Sequence, residues 1–135
     1  MLYLKRYNAM MSFKPRPVDS LQRVRRLIQR FPETKEKLSH GAPTWWGGAK
    51  TFATFHNGHY HDGVPAIWIK APPGAQQALI ETAPSRFYRP KYFGPSGWVA
   101  LRLNGNTDWK EVEALLLQGY RMVAPKRAVQ LLDDP

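Results

Sequence analysis

Four groups that could do chemistry fall within seven residues of this chain: His56, His59, His61 and Asp62. Imidazoles beside a carboxylate are a donor set for zinc or iron. The spacing points instead to a polar hairpin tip. Asn57 and Gly58 make a turn there, and a turn does not hold rings on one face as two helical histidines four apart are held. No distant ligand is obvious. The chain has no Cys, which removes thiolate metal sites, disulfides and cysteine nucleophiles together. No metal is therefore expected.

General acid and base catalysis needs carboxylates or histidines held in a cleft with displaced pKa values. Most acids here have other work. Asp19 and Asp108 stand at helix starts, Glu33 and Glu36 in an expected first helical turn, and Asp133 and Asp134 in the tail. Ser96 lies in GPSGW, which lacks the glycine pattern and the strand-to-helix setting of a nucleophile elbow. GGAKT at 47–51 has a Lys before a Thr but lacks the first glycine of a phosphate loop at its required spacing. Neither a catalytic residue nor a cofactor is expected. A small-molecule or enzymatic site at His56, His59 and Tyr60, or around Trp45, ranks last.

The basic residues are better organised. Arg23, Arg26 and Arg30 recur at i, i+3 and i+7, a stripe about 10 Å long at about 1.5 Å per residue. That length compares with a few phosphate steps of about 3.4 Å each. Arg25 flanks the apolar edge and can snorkel. A second group, RFYRPKYFG, interleaves Arg86, Arg89 and Lys91 with Phe87, Tyr88, Tyr92 and Phe93, a composition that stacks bases and neutralises phosphates. Each group also has a plain reading. The stripe can be a solvated face without a ligand, and the loop can close an edge of the core with its rings while its cations reach water. Lys126 and Arg127 follow Pro125, where cations near a helix C-terminus are favoured for a structural reason.

The elements that must position these residues are legible in the periodicities. VDSLQRVRRLIQRF at 18–31 puts Leu21, Val24, Leu27, Ile28 and Phe31 on one arc, with Asp19 or Ser20 able to cap the helix. Pro32 ends it or opens a short further turn, PETKEKL, whose acids precede its lysines as a helix dipole favours. From Thr44 to Leu103 short segments rich in β-branched and aromatic residues predict strands: TWWGG, KTFATFHN, AIWIKA and WVALRL. Gly47 and Gly48 suit a hairpin turn, HNGHYHDGVP reads as a longer hairpin loop, and AQQALIETA as a short helix. DWKEVEALLLQGYRMVA opens with Asp108 three residues before Glu111, a capping-box spacing. Val112, Leu115, Leu116, Gly119, Tyr120 and Val123 share its inner face. Pro125 breaks this helix, and KRAVQLL adds one last turn. Trp45, Trp68 and Trp98 are assigned to sheet faces.

This order predicts an α+β fold, a two-layer α/β sandwich with an antiparallel sheet flanked by helices. The chain's 135 residues hold one domain. Residues 1–17 are read as an N-terminal arm, of which 1 to about 10 are an over-long start or loose, 18–132 as the single domain, and 133–135 as a tail. A hydrophobic content of 43% with 5 Trp supplies one core. The net charge of +10 leaves half the cations without an acidic partner and attracts polyanions. No apolar run approaches the roughly 20 residues that cross a bilayer. The start MLYLKRYNAMMSFKPRP has no long apolar stretch of a secretory signal. A cytoplasmic protein without a membrane partner is expected.

Five segments carry a family resemblance: PETKEKLSHGAPTWW, KTFATF, AIWIK, PKYFGPSGWVALRL and GYRMVAPKR. Together they resemble the MmcQ/YjbR-like proteins over roughly residues 18 to 132. The combination is specific through Gly41 and Pro43 before Trp45, through Gly97-Trp98-Val99 after an aromatic and basic loop, and through Tyr120 with Pro125 and Lys126. The resemblance implies an α/β sandwich with the topology of secretion chaperones, and a DNA-binding role that rests on structural analogy. It brings no catalytic residues. Its winged mode of contact would be served here by Lys50, Lys70, Arg86, Arg89, Lys91 and Arg102. The leading expectation is a non-enzymatic protein that binds nucleic acid, duplex DNA first, mostly through phosphates. Its contacts would come from those residues with Arg23, Arg26, Arg30, Lys126 and Arg127. A protein-interaction or chaperone-like module using an exposed sheet face is the alternative, with a protein partner.

Overall fold

The apolar arc of the first segment does what its spacing predicts. In the computed structural model, which describes residues 17–59 and 61–134, helix α1 spans Pro17–Ile28. Val24 and Ile28 are buried, and Leu21 and Leu27 pack against the same core. The helix starts earlier than expected, so Ser20 lies inside it with its hydroxyl buried and unpartnered among the described residues. The expected arm, 1–17, falls outside the described residues except for Pro17, as do Tyr60 and Pro135.

PETKEKL departs from expectation. Instead of a helical turn, Thr34–Ser39 forms strand β1, in register with β2, Ala42–Gly47, over six residue pairs. Glu33, with φ 58°, turns the chain out of α1. Glu36 then faces α1 and takes a two-armed ion pair from Arg25 at 2.7–3.1 Å. Hairpin pairing satisfies the backbone groups of this edge strand that face β2 along its whole length, more than a single helical turn can, so pairing with β2 overrides the local charge pattern.

The remaining strands are β3, Lys50–His56, β4, Ala66–Ile69, β5, Phe87–Tyr88, and β6, Val99–Arg102. Two further helices, α2 at Ala75–Thr82 and α3 at Trp109–Val123, fall where the sequence predicts them. The expected last turn is a full helix, α4 at Lys126–Asp133, so Asp133 belongs to the fold and not to a tail. The sheet is antiparallel throughout, in the order β1-β2-β3-β4-β6-β5. This is the expected α+β sandwich. Strand β5 was hidden inside the segment read as a loop. No described helix is long and apolar enough to cross a membrane.

Because directly paired residues share a face, the registers sort the sheet. Trp45, Ala53, Ile69 and Val99 form one row and belong to the main core, which the helices cover. A bulge at Trp45/Trp46 adds Phe52 to that core beside Ala53. Lys37, Thr44, Thr54, Trp68, Ala100 and Tyr88 form a row on the other face, across all six strands. There Trp68, Trp98, Ala66 and Ala100 make a second, smaller cluster closed by Tyr88 and Phe93.

Helix α3 opens at Asp108, whose carboxylate accepts from the backbone N–H of Lys110 and Glu111. Only this half of the expected capping box forms, because Glu111 accepts from Arg86 instead. At the far end, Gly48 holds φ +83° in the β2–β3 turn, and a Cβ there would stand 3.1 Å from Pro125. The glycine thus permits both the turn and its contact with the α3–α4 junction.

Candidate nucleic-acid interface

The two basic residue types are used differently. Arg25, Arg30, Arg86, Arg102, Arg121 and Arg127 pair with Glu36, Glu113, Glu111, Asp62, Asp133 and Glu33 respectively. No lysine among the described residues makes an ion pair: Lys35, Lys37, Lys50, Lys70, Lys91, Lys110 and Lys126 all keep an uncompensated charge. The planar guanidinium matches a carboxylate in two places at once, whereas an ammonium is a point charge on a flexible stem. Six of the ten acids have therefore been taken up by arginine, and the charge left for a partner is mostly lysine.

The expected contact residues are spread over several elements. Arg23 lies over Trp109 at 4.4 Å, and Arg30 reaches Glu113, so the first stripe leans on α3 within the helical layer. Arg26 donates back to the Gln22 carbonyl. The aromatic and basic loop straddles the opposite sheet edge. Arg86 turns to α3, while Lys91 lies over Tyr92 at 5.4 Å and Phe93 joins the second cluster. Arg89 packs along Gly94, where an added Cβ would meet its side chain. Tyr92 is 82% exposed and holds φ 69°. Lys70 follows β4, and its backbone carbonyl faces Gly119.

One corner does gather residues distant in sequence. The Gly48–Pro125 contact brings the β2–β3 turn, which leads into Lys50 at the start of β3, against the α3–α4 junction, which leads into Lys126 and Arg127 at the start of α4. No side chain caps that helix start, so its positive end adds to the lysine field. Arg127 is held there by Glu33 at 2.6–3.2 Å, which in turn keeps the Glu33 carboxyl below its ordinary pKa. Lys126 and Arg127 follow closely on the C-terminus of α3 at Val123, as expected, and they also begin α4.

The histidines part company. His56 stacks on Trp68 at 3.6 Å and shares a 2.8 Å hydrogen bond with Thr54. His61 stacks on Tyr88 at 3.9 Å. Asp62 accepts from Arg102 at 2.7 Å, and Arg102 also lies over Tyr88 and donates to the Pro84 and Ser85 carbonyls. Burial raises the Asp62 carboxyl, but the bonds from Arg102 and the Val64 N–H outweigh it and hold the group below its ordinary value. Arg102 is therefore a clamp for the 57–65 loop, not an open contact. These rings stack in two places, and among the described residues no three His, Asp or Glu side chains converge as a metal site.

Burial pushes the His56 imidazole down to about 4 from 6.5. A histidine whose folded pKa is lowered stabilises the fold fully above its unfolded value. That contribution is lost as pH falls from 6.5 toward about 4 and changes no further below. Discounted for the ring's partial exposure, the loss is about 1–2 kcal/mol. Urea unfolding across this window is expected to show it, and His56→Gln to lose most of it. An equal pH dependence in the variant would refute the assignment.

The sequence reading missed Lys35, Lys37, Lys110 and Trp46. Lys35 and Lys37 carried a usable signal, since alternation of Lys-Glu-Lys is a two-residue period, but the helix-dipole pattern of the same letters obscured it.

A family model described as YjbR matches residues 29–122. The chain is also similar in fold to the crystal structure of Deinococcus radiodurans protein DR2400, which carries the family-model domain DUF419. The TM-score is 0.63 at 17% identity, over 83% of this chain and 86% of that one. No curated protein matches the sequence.

Proposed function

The chain belongs to the YjbR family, and on that footing we propose that it is a non-enzymatic nucleic-acid-binding protein that holds phosphates and reads little sequence. The observation that carries this reading is the division of labour among its cations. The commonest base-specific contact in a duplex groove is a two-armed bond to guanine, which the planar arginine fork fits best, and six arginines here are tied to acids of the same chain. Unpaired lysines supply the other term, sequence-independent phosphate neutralisation. Duplex DNA is the first partner to test, and the corner of Lys50 and Lys126 the first place. A cytoplasmic location belongs to the same reading. The protein-interaction alternative ranks second, because the exposed large apolar residues Leu38, Tyr92, Met122 and Leu131 lie on four separate segments.

The test is duplex binding as a function of salt. The logarithm of affinity is expected to fall linearly with that of salt concentration, by about 0.9 per phosphate neutralised. Lys50→Gln combined with Lys126→Gln should reduce that slope by about 2. Absence of binding at low salt would end the proposal.

A further inference from the structure

Of the five tryptophans, four are engaged. Trp45 is in the main core, Trp68 and Trp98 in the second cluster, and Trp109 lies beneath Arg23. Trp46 is different. It is half-buried, has no ring partner among the described residues, and stands on the sheet face opposite Trp45. Its directly paired neighbours are Lys35 on β1 and Thr51 on β3. The next pair on the same face is Lys37 with Thr44. Lys35 and Lys37 are both exposed and lie about 7 Å apart along the strand.

This part of the face carries no acid. Its strand residues are Lys35, Lys37 and Ser39, then Ala42, Thr44 and Trp46, then Thr51, Thr54 and His56. Glu36 points to the other side, into its pair with Arg25. Across the rest of the face the acid at hand is Asp62, neutralised by Arg102. The lysines also make a second copy of this chain a poor occupant. An antiparallel pairing of β1 with itself sets Lys35 opposite Lys37, or Lys37 opposite its own copy, and like charges opposed across strands destabilise.

We infer that the Trp46, Lys35 and Lys37 surface binds single-stranded nucleic acid, with a base stacked on the indole and the adjoining phosphates on the two lysines. This deepens the proposed nucleic-acid reading and rests on it. An aromatic platform selects a single strand because the base faces of a duplex are already stacked on one another, while an unpaired base has a free face. Charge complementarity supplies the rest: an anionic chain meets two cations and no carboxylate. This surface is on the opposite side of the sheet from the α4 corner, so the two contacts are separable by mutation.

The experiment compares a labelled oligothymidylate with a mixed-sequence duplex, at low and at physiological salt. Trp46→Leu keeps an apolar but smaller side chain and removes the π-face, and is expected to weaken oligothymidylate binding about tenfold while leaving duplex affinity unchanged. Trp46→Phe should retain most of the binding, which separates loss of stacking from loss of fold. Lys35→Gln with Lys37→Gln should lower the single-strand salt slope by about 0.7 for each lysine. If Trp46→Leu binds oligothymidylate as tightly as the parent, or if the parent binds only duplex, the inference is overturned and the proposed function stands. If the parent binds neither, both fall.

Discussion

Tyr120→Ala is expected to destabilise the protein by about 3–5 kcal/mol, the usual cost of deleting a fully buried aromatic ring. Tyr120 is wholly inaccessible to solvent. Its ring packs on Phe31 at 5.1 Å and edge-on to Phe52 at 5.8 Å, so it joins α3 to both the end of α1 and the sheet. Its hydroxyl donates to the Pro32 carbonyl at 2.7 Å, at the bend that feeds β1. Small domains are stable by about 5–15 kcal/mol in all, so this one truncation removes a large part of the margin. Tyr120→Phe should cost about 1 kcal/mol, the net worth of the hydrogen bond. Urea midpoints of the two variants separate ring from hydroxyl. An alanine variant as stable as the parent would refute the placement of this ring at the meeting point of three elements.

Gly119→Ala is expected to destabilise by about 1–3 kcal/mol, even though the exchange within a helix ordinarily gains about 0.5–1 kcal/mol. The sign turns on distance. A Cβ at Gly119 would stand 2.9 Å from the Lys70 carbonyl oxygen and 3.0 Å from Ile69 Cγ2. The first is sheet backbone and cannot swing away. Glycine is what lets α3 lie this close to β4, and a close seat is what buries Leu116 and Tyr120 on either side of it. A rise in the thermal midpoint of the alanine variant would show that helix and sheet separate freely there.

Periodicity proved a good guide wherever an element's own residues supply its partners. Val112, Leu116 and Tyr120 mark the buried face of α3 in the sequence as clearly as in space, because 3.6 residues per turn is a property of the chain alone. Asp108 is legible for the same reason: a cap bonds to N–H groups two and three residues away. The failures share an opposite cause. Thr34–Ser39 is a strand because β2 pairs with all of it, and Phe87–Tyr88 is a strand because β6 lies beside it. Both partners lie nearby in sequence, but a pairing is a property of two segments together, which the propensity of either one alone does not weigh.

The candidate site divides along the same line. That this chain carries ten more cations than acids, no thiol chemistry, one domain's worth of core and the segments of a known family was determined by the letters alone. Charge and apolar content are sums over residues and need no coordinates. Which cations remain free was decided only by the tertiary structure. Glu33 finds Arg127 across ninety-four positions, Asp62 finds Arg102 across forty, and Glu36 finds Arg25 across the first turn of the fold. An ion pair forms between groups a few ångströms apart in space, a distance fixed by the packing of β1, β6 and α4 and not by any spacing along the chain. The same packing left Trp46 facing away from the core its neighbour Trp45 fills.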